Sequence, residues 1–292
     1  MLLKSFNFLM GTTGKENNMY VDSHQHFWKI SRGDYSWMSS EYQPLYRDFN
    51  SSDLLPLINK KNITHTIIVQ AADTIAETEF ILDIANKNSF VCGVVGWVDF
   101  ENKDVVNHID RLIENKYLKG FRPMIHDIAD EDWMLKDNLE LGLKHLIKNN
   151  LTFDALVRPE HLKNLYVFAK KYNNLPIVID HIAKPKILNQ EIDEWKSDMK
   201  QLSKLDNIFC KYSGILTEIG EDYNLEQIKP YTDFIFEIFN TTKIMWGSDW
   251  PVLTMAEKYE NWFDIAHTLI PNLSNDEKIN VFSHTAKNFY KI

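Results

Sequence analysis

Tyr20-Val21-Asp22-Ser23-His24-Gln25-His26-Phe27 sets two histidines on what reads as a β-strand. Alternate side chains of a strand share a face, so His24 and His26 point the same way, about 6–7 Å apart along the chain. Two imidazoles at the exit of an apolar strand can grip one metal ion or one polar substrate, and they can equally be a hydrogen-bonded pair in an ordinary strand. A distant stretch favours the chemical reading. Ile244-Met245-Trp246-Gly247-Ser248-Asp249-Trp250-Pro251 also reads as a strand entering a turn, and it delivers a carboxylate.

Between these two stretches the chain alternates short β-rich apolar runs with longer amphipathic segments. Strands are expected over residues 20–27, 65–71, 90–98, 118–125, 151–157, 175–182, 207–214 and 243–250. Ile67-Ile68-Val69 and Ile177-Val178-Ile179 are apolar without alternation, as parallel strands covered on both faces are. Helices are expected over 53–61 and 76–86, and around Leu139, Leu143, Leu146 and Ile147, which share one face. Another should follow Pro159, and one carrying Phe234, Ile235, Ile238 and Phe239 should begin near Pro230. Ser274-Asn275-Asp276-Glu277 reads as a capping box opening a last helix. Eight β-then-α units predict an α/β fold, a (β/α)₈ TIM barrel, in a single domain over 19–292. An open doubly wound sheet competes less well, because His24-Gln25-His26 stands where its Gly-rich first turn belongs.

The chain has 292 residues, 44% of them hydrophobic and 25% charged, enough for one large barrel with a full core. Its net charge of −9, with no basic run, argues against a nucleic-acid partner. Cys92 and Cys210 are the only cysteines and lie in apolar strand-like runs, which fits reduced thiols and a cytoplasmic location better than a disulfide scaffold. Residues 1–18 read as an N-terminal extension. Its apolar part is too short for a membrane helix and shows no clear signal cleavage site. No membrane partner is expected. Residues 28–50 have no helical period yet contain Trp28, Tyr35, Trp37, Tyr42, Tyr46 and Phe49, so this long loop is expected to cover a pocket and stack on a sugar-like ring.

In a barrel of this kind, residues at the C-terminal ends of the strands converge on one mouth. The polar residues expected there are His24, His26, Gln70, Asp99, Arg122, Arg158, His181, Lys184, Ser213 and Asp249. The first and eighth strands adjoin when the barrel closes, so Asp249 can meet His24 and His26. A carboxylate beside imidazoles can take a proton from water and return it to a leaving group. Arg122 and His181 can supply the positive field that stabilises an oxyanion. His24, His26 and Asp249 can hold one divalent metal ion, zinc by ligand type, with His181 as a further ligand or a substrate contact. Three potential ligands are necessary for a bound ion but not decisive, so a site without metal is the other expectation. His126 is near enough to the rim to touch substrate, and Lys184 gains a substrate role from its place beside His181. His65, His108, His145, His161 and His267 are expected to be structural, His284 to pack, and Met245 and Trp246 to fill the barrel or its outer layer.

His24-Gln25-His26-Phe27-Trp28, Val69-Gln70-Ala71, Gly96-Trp97-Val98-Asp99, Asp180-His181-Ile182-Ala183-Lys184-Pro185, Lys211-Tyr212-Ser213-Gly214 and Gly247-Ser248-Asp249-Trp250-Pro251 together resemble the sugar-lactonase branch of the amidohydrolase superfamily (amidohydrolase-related, family 2). That branch holds L-fuconolactonase- and L-rhamnonolactonase-like enzymes. The motifs run in family order from about Met19 to the C-terminus. The resemblance implies a TIM barrel of the metallo-dependent hydrolase type and hydrolysis of a small sugar-acid lactone or related cyclic ester. It implies that Asp249 activates the water and that His181 lies beside the substrate carbonyl. Arg122, Trp28, Gln70 and Lys184 are the expected substrate-binding residues. Binuclear members carry a bridging lysine after strand four and a histidine after strand five. Here Gly120-Phe121-Arg122-Pro123 and Ala155-Leu156-Val157-Arg158 occupy those places, so a two-metal site is not expected. Pro123 stands where many relatives have a histidine, which leaves the choice of lactone open. The competing readings are a metal-dependent decarboxylase of a small aromatic acid on the same barrel, and a binding protein that keeps the pocket without turnover. The intact set of His24, His26, His181 and Asp249 argues against the latter.

Overall fold

Strand β1 (Tyr20–Gln25) is buried from Val21 onward, because its inward side chains meet the barrel core while its outward ones meet helices. It pairs in parallel with β2 (Ile63–Val69), and the ladder continues through β3 (Val91–Gly96), β4 (Leu118–Phe121), β5 (Thr152–Ala155), β6 (Ile177–Ile179), β7 (Ile208–Tyr212) and β8 (Ile244–Trp246) in sequence order. The computed structural model describes residues 19–220 and 222–292, so the expected extension over 1–18 lies outside the described residues. Among the described residues the eight parallel strands form a nearly closed (β/α)₈ barrel. The seam between β8 and β1 is made just beyond β8, where Gln25 bridges Trp250. There His26 N donates to Trp250 O (2.7 Å) and Asp249 N donates to His24 O (2.8 Å).

All eight expected strands occur, and several end earlier than their apolar runs do. The run over 118–125 leaves the ladder after Phe121, that over 175–182 after Ile179, and that over 243–250 after Trp246. Beyond those points the backbone turns to aim side chains into the mouth. His181, Ile182, Ala183 and Lys184 form a left-handed run with φ between 47° and 64°, and Asp249 sits at φ 59°. These conformations are costly for residues with a Cβ, most of all for β-branched Ile182.

The expected helices appear as α1 (Ser51–Lys60), α2 (Ile75–Lys87), α4 (Glu140–Lys148), α5 (Leu162–Lys171) and α7 (Leu225–Ile238). Pro230 falls inside α7 rather than near its start. Three further helices, α3 (Val105–Leu112), α6 (Asp193–Leu202) and α8 (Tyr259–Leu269), follow β3, β6 and β8 as the eight β-then-α units require, although no range was expected for them. The chain ends in α9 (Asn275–Ile279), a π turn and α10 (Thr285–Tyr290). Ser274 caps α9 as expected: its Oγ accepts from Glu277 N (3.3 Å), and its N donates to Glu277 Oε2 (2.8 Å).

Two apolar layers result. Val21, Ile67, Val69, Val95, Val178 and Met245 pack with Phe289 and Tyr290 of α10, and Tyr290 OH donates to Asp154 Oδ2 (2.6 Å). Outside the sheet, Trp246 packs against Tyr259, Phe263 and Phe282. His267 stacks on Phe282 with ring centroids 3.8 Å apart. His145 pairs with Asp110 (2.6 Å), and His161 Nδ1 accepts from Arg158 N (3.1 Å). His284, by contrast, is exposed rather than packed.

Glu77 on α2 is fully buried, and its Oε1 accepts from Ala71 N (3.1 Å). Burial pushes its carboxyl up to about 8, with Asp34 adding to the rise. Between pH 4.5 and about 8 the folded chain therefore keeps a proton that the unfolded chain has lost, and stability falls as pH rises through that window. Glu77→Gln is expected to flatten this dependence. Its Tm at pH 9 should exceed that of the wild type, and the two should converge at pH 4; thermal melts across the range measure it.

Candidate active site

The seam of the barrel makes the site. Asp22 Oδ1 accepts from Ser248 N (2.8 Å) and His24 N (3.2 Å), and Tyr259 OH donates to its Oδ2 (2.9 Å). Ser23 Oγ donates to Trp246 O (2.7 Å). These bonds fasten β1 to the turn after β8, and burial pushes the Asp22 carboxyl up to about 6 against them. The left-handed backbone at Asp249 then turns its carboxylate toward the rings of β1. Asp249 Oδ1 lies 3.3 Å from His26 Nε2, 3.6 Å from His24 Nε2 and 3.7 Å from His181 Nε2. Nothing in the separate strand sequences brings these four together; closure of the barrel does.

Each imidazole is held by its other nitrogen. His26 Nδ1 donates to Val69 O (2.8 Å), which can only accept, and its Nε2 faces Asp249 Oδ1. His181 Nδ1 is 2.9 Å from Ser213 Oγ. The ring lies so close over Gly214, itself at φ 63°, that a Cβ there would come within 2.4 Å of His181 Nδ1; only glycine leaves room for the ring. His24 Nδ1 faces Lys211 Nζ at 3.1 Å. Lys211 Nζ also donates to Asp154 Oδ2 (2.6 Å) and lies 3.0 Å from Asp180 Oδ1.

Arg122, at the end of β4, is nearly buried. It donates from Nη2 to Gln70 Oε1 (2.9 Å) and from Nη1 to Asp180 Oδ2 (3.3 Å), while its Nε has no hydrogen-bond partner among the described residues. Burial alone would raise the Asp249 carboxyl, but His181, His26 and His24 outweigh it and hold it below the usual carboxylate value. Burial lowers His181 to about 3 and lowers His24 well below the ordinary imidazole value. The floor is a carboxylate held low beside two imidazoles, His181 and His24, that burial holds below the ordinary value.

Above it opens a cavity of about 200 Å³, the space of about seven waters at roughly 30 Å³ each. Of the residues named from sequence, His26, Trp28, Arg122, His126, His181, Lys184 and Asp249 line it. Lys184 is paired with Glu218, and His126 with Asp127 (3.0 Å). Gln70 is corrected. Expected to bind substrate, it is fully buried and spends its amide on Arg122, with Oε1 accepting from Nη2 and Nε2 donating to Arg122 O (3.1 Å). Asp99 and Arg158 are not on the wall, and Ser213 stands behind His181.

Trp37 was named only within the aromatic loop. It lines the cavity and donates from Nε1 to Ala71 O (2.7 Å), so residues 28–50 do reach over the pocket. Tyr35 and Phe49 of that loop are buried, and Tyr42 and Tyr46 are exposed. Met124, Leu156 and Val252, which supply the apolar wall, carried no sequence signal. Asp154, Asp180 and Lys211 did carry one. A charge inside an apolar run that is buried on both faces must have a partner.

His24, His26 and Asp249 form a candidate metal site. Bonds of about 2.0–2.1 Å space tetrahedral ligand atoms roughly 3.3–3.4 Å apart. The two Nε2 atoms are 3.2 Å apart and lie 3.3 and 3.6 Å from Asp249 Oδ1. The spacing suits one ion, and so does His26, whose Nδ1–H rests on a carbonyl as a ligating histidine's does. His24, facing an ammonium, does not show that pattern.

An amidohydrolase family model matches residues 21–292. The chain is 37% identical over 276 residues to an L-fucono-1,5-lactonase of Burkholderia ambifaria, covering 93% of this chain and 95% of that one. It is 30% identical over 251 residues to an L-fucono-1,5-lactonase of Burkholderia multivorans, covering 82% and 84%. Among solved structures, a Burkholderia multivorans amidohydrolase with bound zinc superposes with a TM-score of 0.87 at 29% identity, over 94% of this chain and 99% of that one.

Proposed function

The chain belongs to the amidohydrolase family and is a lactone hydrolase, and from that premise we propose that it opens a small sugar-acid lactone of the L-fucono-1,5-lactone kind. Water attacks the ring carbonyl, with Asp249 as the base and then the acid. One observation carries this reading: the Asp249 carboxylate stands at the floor of a small cavity, within 3.7 Å of three imidazoles and on the same wall as Arg122.

Asp249 orients the water and takes its proton as the carbon–oxygen bond forms. A carboxyl held low is a weak base, so proton transfer must keep pace with the growth of charge on the carbonyl oxygen. Arg122 and His181, both on the cavity wall, stabilise that oxyanion. When the ring carbon–oxygen bond breaks, the proton on Asp249 passes to the departing alkoxide. A low-pKa carboxyl gives it up readily, leaving the hydroxy-acid product and the ionised enzyme.

His24, His26 and Asp249 would hold one divalent ion, and the donor set suits zinc. When bound, such an ion supplies Lewis acidity toward a carbonyl oxygen and acidifies its water. The cycle above needs no residue beyond those named, so turnover without metal belongs to the proposal. The ligand is a small molecule, and no helix among the described residues is long and apolar enough to cross a membrane. Cys92 and Cys210 are unpaired, which supports a reducing, cytoplasmic setting.

The test is a panel of sugar lactones set against hydroxybenzoates, followed by proton release and by CO₂ release, before and after chelation. Proton release on lactones in both states supports the reading. CO₂ from an aryl acid would replace it with the decarboxylase. Trp37→Ala, which strips an aromatic face from the cavity and frees the loop, is expected to raise KM about tenfold. Its kcat should stay near the wild-type value in steady-state assays.

A further inference from the structure

Thr74 caps α2, and Thr74-Ile75-Ala76-Glu77 has the spacing of a capping box, in which the glutamate turns back to the N–H of the cap residue. Half of that box is formed: Thr74 Oγ1 accepts from Glu77 N (3.0 Å). The other half is not. Glu77 reaches past Thr74 to the exit of β2, where its Oε1 accepts from Ala71 N (3.1 Å). Its Oε2 has no hydrogen-bond partner among the described residues, so a fully buried carboxyl is kept for a single main-chain bond, against the cost of burying it. The peptide it holds has a second partner on its far side. Ala71 N and Gln70 O belong to one peptide group, and Gln70 O accepts from Arg122 Nη2. The next carbonyl, Ala71 O, accepts from Trp37 Nε1 (2.7 Å).

We infer that Glu77 is a positioning residue for Arg122: it pins the 70–71 peptide from behind, and the carbonyl of that peptide sets where the guanidinium stands on the cavity wall. A trans peptide is planar, with its N–H and C=O pointing opposite ways, so a bond at Ala71 N–H fixes the direction of Gln70 C=O. Gln70 N is tied to Val95 O (2.8 Å), which holds the chain one step earlier but leaves the 70–71 plane free to turn. The bond to Glu77 stops that turn. Arg122 also donates to Gln70 Oε1 and Asp180 Oδ2, so without Glu77 the guanidinium stays bonded but shifts. A misplacement of about 1 Å can cost up to about 10²-fold in rate. Burial pushes the Glu77 carboxyl up to about 8, so at neutral pH it is an uncharged acceptor that an amide can replace. Because Arg122 stabilises an oxyanion only in the lactonase reading, the effect of Glu77 on kcat rests on that reading.

Glu77→Met fills the same space without an acceptor, and its kcat on the lactone is expected to fall about tenfold. Glu77→Gln should keep kcat within about twofold of wild type, because its amide oxygen can take the Ala71 N–H. A loss of packing alone would lower kcat by the same factor whatever stands at position 122, so the deciding measurement is a double-mutant cycle. In an Arg122→Met background, Glu77→Met should cost less than about twofold more. An equal loss in both backgrounds, a Glu77→Gln chain as slow as Glu77→Met, or wild-type kcat in folded Glu77→Met each overturns the proposal and leaves the lactone hydrolase standing. Where Glu77→Met does not fold, Glu77→Asp, one methylene too short to reach Ala71 N, takes its place in the cycle with the same outcomes. Near-wild-type turnover in Arg122→Met alone would instead remove Arg122 from the mechanism, and the role of Glu77 with it.

Discussion

Asp249→Asn is expected to abolish turnover, with kcat lowered by at least about 10³-fold, while the fold is kept. General acid–base catalysis by a placed side chain contributes about 10²–10⁴-fold, and here one carboxylate serves both proton transfers. The amide has the same shape, so the main-chain bond from Asp249 N to His24 O (2.8 Å) and the seam it helps close should survive. Substrate affinity should change little, because the loss falls on the chemical step. Proton release on the lactone substrate, beside circular dichroism and a melting curve, separates the two effects. Near-wild-type turnover in a folded Asp249→Asn chain would remove Asp249 from the mechanism.

Arg122 carries the second large effect. Arg122→Lys keeps a positive charge but loses the planar fork that holds Gln70 and Asp180 together. Arg122→Met loses the charge as well. Losing one preorganised oxyanion donor costs about 10²–10³-fold in kcat. The lysine variant is expected at the lower end of that range and the methionine variant at the upper end or beyond. Arg122→Met also leaves Asp180 with Lys211 as its one close cation, so its Tm should drop further than that of Arg122→Lys. If both variants turn over within threefold of wild type, Arg122 only binds Asp180 and Gln70.

The barrel could be read from the chain because its evidence is local. Eight apolar runs alternate with amphipathic segments, and each run tolerates burial on both faces. The exact strand ends could not be read in this way. Ile182 and Ala183 look like strand residues, yet they take a left-handed path that tertiary packing around His181 imposes and that propensity disfavours.

The site divides along the same line. His24, His26, His181, Arg122 and Asp249 announce themselves as polar residues ending apolar strands, and closure of the sheet gathers them. Gln70 announces itself equally, but whether an amide faces the cavity or braces a neighbouring guanidinium depends on a partner 52 positions away. Lys211 appears in sequence as a charge inside Phe209-Cys210-Lys211-Tyr212, a signal that it has a partner but not which one. The apolar wall of Met124, Leu156 and Val252 comes from three separate loops, and no periodicity marks it.

The central claim is attack of water on the ring carbonyl. A single turnover in H₂¹⁸O, with the product analysed by mass spectrometry, tests it most directly. The account predicts one ¹⁸O per product molecule, in the carboxylate, and none in the hydroxyl released from the ring. Label in that hydroxyl, or loss of CO₂ in place of hydrolysis, would contradict it.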